Sequence, residues 1–170
     1  DTVLENIRLG DSVIFQINEI SDYIHFAKPL AEKAIAAGKK IIYFRFAEHE
    51  PLLEEQDGLR IERIDPMLGF ERFTVTVNMI LEEEGPGTYY IFDCVSELQS
   101  TWAADFMMRN FFMAICPAIH ELQSIAYLSV LRHKHSYSAM RQIREASTIY
   151  LNIISGEKGL YVHPLKVTKR

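Results

Sequence analysis

Two cysteines, Cys94 and Cys116, are all that the 170 residues contain. They are too few and too widely spaced for a disulfide framework or a paired zinc site, so a reducing, cytoplasmic compartment is expected. No uninterrupted apolar run approaches the roughly 18 residues that a membrane span needs. Nor do the first residues place a basic segment ahead of an apolar one, as a leader does, and no membrane partner is expected. Positive charge is scarce: 18 lysines and arginines face 23 acids, a formal charge of −5. A protein that grips nucleic acid by neutralising its phosphates is therefore not expected. Internal repeats, low-complexity tracts and a recognisable metal-ligand set are missing as well, and no cofactor is expected.

What is present is apolar patterning. With 48% hydrophobic residues, the chain can bury one sizeable core, which predicts a single domain over 1–170. Because it opens on Asp1 and stops on "VTKR", it is expected to be part of a longer polypeptide. Short apolar runs alternate with helical periodicities. "SVIFQI" reads as the first strand, followed by a helix over 22–37 with Asp22 as N-cap, Gly38 as stop and a kink or restart at Pro29. "KIIYFRF" is a second buried strand, "LRIERID" a short one, and "GFERFTVTVNMILEEEG" a helix carrying Phe70, Phe73, Val77, Ile80 and Leu81 on one face. "TYYIFDCV" and "SIAYLSVL" are further strands. The stretch 99–115 is an apolar helix expected to end at Pro117. "SYSAMRQIREA" is a short helix, and "TIYLNII" and "GLYVHPLKV" form a closing strand pair. This order implies an α/β fold: a mostly parallel central sheet flanked by helices, with an antiparallel hairpin at the end.

Several residues invite a chemical reading. Asp93 ends a core strand, the edge at which open α/β sheets place ligands. Taken by itself it reads first as a structural acid bonded to neighbouring backbone or to Ser96. His133 and His135 are two apart and would face the same way on an extended chain, but without a third ligand they read as part of an exposed polar loop. Cys94 reads as a small buried residue, and "WAADFMMRNFFM" as core before partner surface. Arg132, Lys134, Arg141 and Arg144 read as solvated charge.

The motifs then suggest a family. "IIYFRFAEHEPLL", "YYIFDC" and the tail "ASTIYLNIISGEKGLYVHPLKVTKR" resemble the KaiC/RecA-type ATPase core, covering most of the chain. That resemblance implies a nucleotide pocket in which Asp93 helps to hold magnesium and Glu48 takes the place of the water-activating glutamate. It also implies a basic arm of Lys166, Lys169 and Arg170 directed at a neighbouring subunit, and hence a homo-oligomer. The junction after the first strand departs from the pattern. A phosphate loop needs glycines that turn consecutive N–H groups inwards and a lysine that reaches the outer phosphates. Asn18, Glu19, Ser21 and Asp22 supply neither, and the carboxylates of Glu19 and Asp22 oppose a triphosphate. Asn18, Glu19, Ser21, Asp22, Glu48 and Asp93 are thus expected to form a vestigial pocket without catalytic residues.

A narrower likeness is carried by "DPMLGFERFTVTV", "YYIFDCVSELQSTWAADFMMRNFF" and "LYVHPLKVTKR". These segments resemble the amino-terminal region of bacterial phosphoenolpyruvate synthase-related proteins. The resemblance implies an accessory or regulatory module acting through protein contacts, with itself or with downstream domains, while phosphotransfer belongs elsewhere in the parent chain. The alternative is a nucleotide-binding ATPase with a non-standard phosphate loop.

Overall fold

The computed structural model describes residues 2–102 and 105–168. A short helix α1 (Thr2–Glu5) leads into β1 (Ser12–Ile17), α2 (Ile20–Ala36), β2 (Ile41–Arg45) and β3 (Leu59–Arg63). Then come α3 (Phe70–Glu84), β4 (Tyr89–Phe92), α4 (Gln99–Trp102), α5 (Asp105–Glu121) and β5 (Ile125–Leu131). The chain continues through α6 (Tyr137–Ala146), β6 (Ile149–Gly156) and β7 (Gly159–Val167). The seven strands of the described residues form one sheet in the order β3-β2-β4-β5-β1-β6-β7. Every pairing is parallel except β6 with β7, which closes as an antiparallel hairpin. The fold is α/β, as the alternation of patterns predicts.

The central strands are buried on both faces, which is why they read as continuous apolar runs. Along β1, Ile14 joins the core beneath α3, α5 and α6, while Val13, Phe15 and Ile17 join the core beneath α2. β1 is thus followed by a helix on one face, and its neighbour β5 by α6 on the other. Between the carboxyl ends of these two strands the sheet has a topological switch point, the place where such folds bind ligands.

Two helix boundaries differ from expectation. α2 begins at Ile20 with Glu19 as N-cap, because Glu19 is still extended (φ −134°) and its carbonyl already accepts the Asp22 N–H at 3.1 Å. Asp22 therefore lies inside the first turn, where it is buried. α5 runs past Pro117 to Glu121. Pro117 and Met113, whose carbonyl loses its helical donor, lie on the exposed side of the helix rather than in the core. Pro29 is likewise exposed within α2. At the other end of α2 the stop is as predicted: Gly38 adopts φ 68° and its N–H reaches the Ile35 carbonyl at 3.0 Å.

The outer strand β7 carries devices that blunt an open edge. Pro164 lacks an N–H, the pairing is irregular between Tyr150 and Leu151, and Lys166 is directed at the end of α6.

Candidate functional site

The register of the sheet sets Asp93 against β2. Phe92 pairs with Phe44, and the Asp93 N–H donates to the Phe44 carbonyl at 3.0 Å, so the next residues, Asp93 and Arg45, meet side by side. Arg45 Nη1 donates to Asp93 Oδ2 at 2.9 Å. The same oxygen accepts the Phe46 and Ala47 N–H groups at 2.8 and 3.0 Å, while the Tyr43 hydroxyl donates to Oδ1. Tyr43 in turn accepts the Leu52 N–H at 3.0 Å. Burial first, and the Asp93 charge second, push the Tyr43 hydroxyl far up, keeping it a donor.

His49 extends this cluster. Its Nε2 accepts the Cys94 N–H at 3.1 Å, so the ring proton sits on Nδ1, 2.8 Å from the Glu50 carbonyl that accepts it. The 3.7 Å approach of Nε2 to Asp93 Oδ1 is then not an ion pair, because the nitrogen facing the carboxylate carries no proton. Arg45 also donates to the His49 carbonyl. Asp93, fully buried, thereby accepts four hydrogen bonds beside a guanidinium. Three of these bonds fall on Oδ2 and one on Oδ1, and a divalent cation there would meet the charge of Arg45. The arrangement ties β2, β4 and the 46–53 loop together. The structural reading of Asp93 anticipated backbone partners correctly but named Ser96, which bonds elsewhere.

The other residues of the expected pocket are spread along the carboxyl edge. Asn18, Glu19 and Ser21 are exposed, Asp22 is buried in the first turn of α2, and Glu48 points to solvent from the loop after β2. The Ser21 hydroxyl donates to Glu19 at 3.4 Å. Over the ends of β1 and β6 lies Arg132, which donates to Asn18 Oδ1 and the Gln16 carbonyl at 3.3 Å each, to the Ile153 carbonyl at 2.9 Å, and to Asn152. A side chain read as solvated charge is instead the clamp across this edge. Lys166 donates to the Arg144 and Glu145 carbonyls at 3.1 and 2.7 Å, capping α6. Burial lowers its pKa. Lys169 and Arg170 lie outside the described residues.

A second, part-buried cluster begins at Ser96. The Ser96 hydroxyl lies 2.6 Å from His135 Nε2, and His135 Nδ1 lies 2.8 Å from Asp105 Oδ1. Asp105 Oδ2 accepts the Ser136 N–H at 2.6 Å, and Ser96 Oγ accepts the Leu131 N–H at 2.8 Å. His135 thus does not line up with His133. The latter adopts φ 63° and stays exposed, while the His135 side chain is 0% exposed. Among the described residues no group of three or more metal-ligating side chains is assembled. Spacing alone could not reveal this cluster, because its bonds span 39 and 30 residues. The one local signal was the polar run around Ser96 inside an otherwise apolar stretch.

The polarity of serine, histidine and aspartate matches a nucleophile, base and orienting acid, but Ser96 is 1% exposed and its oxygen is already engaged by backbone. The cluster acts as a clasp joining the ends of β4 and β5 to the start of α5. A fluorophosphonate probe is expected to leave Ser96 unlabelled, and Ser96→Ala to lower stability by about 1–3 kcal/mol by orphaning the Leu131 N–H and the His135 ring. Peptide mass spectrometry and urea denaturation check the two parts. Burial pushes the Asp105 carboxyl up, but the Ser136 N–H and His135 outweigh it and hold the group below its ordinary value. Its contribution to stability is therefore complete above the usual carboxylate range and lost as pH falls towards the depressed value. Asp105→Asn removes that part of the acid sensitivity.

Comparison with protein-family models and with curated proteins returned no match for this chain.

Proposed function

We propose that the chain is a KaiC/RecA-like module that has lost nucleotide chemistry and works through protein contacts, as an accessory or regulatory part of a phosphoenolpyruvate synthase-related protein. The observation that carries this reading is the sealed Asp93. The acid that would hold magnesium is instead bound by Tyr43, Arg45 and two backbone N–H groups. The glycine-free junction after β1, with Glu19 exposed at the start of α2, supports it from the phosphate side. Partner contact is supported by Val75 and Met79 of α3 and Phe106 and Met113 of α5, each more than half exposed.

Calorimetric titration with MgATP is the test. No micromolar binding is expected, whereas a micromolar dissociation constant lost in Asp93→Asn would establish the alternative, an ATPase with a non-standard loop. Sedimentation of the wild type beside Met79→Glu addresses the contact half. Self-association weakened by the glutamate is the expected outcome if the partner is a second copy.

A further inference from the structure

An apolar-walled space lies at the opposite end of the sheet from the carboxyl edge. A cavity of about 370 Å³ opens between α1, α2 from His25 to Lys33, and the amino ends of β4 and β5. Leu30, Ile125 and Tyr127 form its buried base. Leu4, Ile7 and Phe26 stand at its sides. Its size falls in the range of small-molecule sites, and its walls have their character: apolar, with a few polar groups to fix orientation.

Those polar groups are of both signs. Glu5 of α1 and Lys33 of α2 line the same space, with His25 beside them, and all three are exposed residues at its mouth. Among the described residues neither Glu5 nor Lys33 is drawn into an ion pair. A purely apolar ligand would leave both charges unused, and a simple carboxylate would meet Glu5. A molecule with an apolar body, one ammonium and one carboxylate satisfies the walls and both charges at once.

We propose that this cavity binds a free amino acid with a large apolar side chain. The side chain enters towards Tyr127 and Ile125, the ammonium faces Glu5, and the carboxylate faces Lys33 and His25. The site is independent of the proposed loss of nucleotide chemistry. It places a small-molecule input at the far end of α2, the helix whose first turn borders the carboxyl edge.

Calorimetry of the whole chain with L-phenylalanine and L-leucine tests the proposal. Hydrocinnamate, which lacks the ammonium, and phenethylamine, which lacks the carboxylate, serve as controls. At least one amino acid is expected to bind in the millimolar range or tighter, with both controls weaker by about tenfold or more. Glu5→Gln and Lys33→Gln, both at exposed positions and checked for an unchanged melting temperature, are each expected to weaken binding by about tenfold. The proposal is overturned if neither amino acid binds, if either control binds as well, or if the two variants bind like the wild type. MgATP titration of the same preparation reports separately on the proposed function.

Discussion

Asp93→Ala is expected to remove about 3–5 kcal/mol of folding stability, the range for breaking a buried ion pair by deleting one partner. The substitution leaves the Arg45 guanidinium without its carboxylate and strands the Tyr43 hydroxyl and the Phe46 and Ala47 N–H groups. Each orphaned buried donor adds to the cost. Asp93→Asn is expected to lose less, because one oxygen survives, yet its amide must point donors at donors. A carboxylate kept for magnesium would behave in the opposite way: without the ion it is a liability, and neutralising it would leave stability unchanged or raised. Urea denaturation in magnesium-free buffer separates the two, and an Asp93→Ala protein as stable as the wild type would refute the lock.

The second large effect belongs to α5. Phe111 is fully buried and its ring meets those of Phe73, Phe92, Trp102 and Phe112 at centroid separations of 5.7, 6.1, 6.2 and 5.9 Å. Phe111→Ala is expected to cost about 3–5 kcal/mol through lost burial and the cavity left behind. Two residues along, Met113 is 52% exposed, and Met113→Ala is expected to stay within about 0.5 kcal/mol. Chemical denaturation of the pair checks the contrast. A small effect at Phe111 would mean that α5 can repack, and a large one at Met113 that this side chain is covered by a second copy.

Strands were legible where apolar runs are buried on both faces, as in β1, β4 and β5, because nothing but a covered sheet accommodates such a run. The core face of α3 was equally legible: Phe73, Val77 and Leu81 are buried, with Phe70 and Ile80 packed against them. Pro117 misled because a proline rule knows nothing of which side of a helix the proline occupies. Asp93 could be found as an acid at a strand end, but its partners on β2 follow from strand order, which periodicity does not encode. The pairing of Ser96, His135 and Asp105 was illegible for the same reason, being assembled from the ends of separate elements.

Strand order also bears on how the molecule comes into being. β1 is made before β2, β3 and β4, yet both of its neighbours, β5 and β6, follow those three in the chain. Until residues 125–153 emerge, a strand carrying Val13, Ile14, Phe15 and Ile17 waits with two unfilled sides, a nascent intermediate open to aggregation. Chains truncated after α5 should therefore require a chaperone to remain dispersed, since an interior strand of the finished sheet has nothing yet to join.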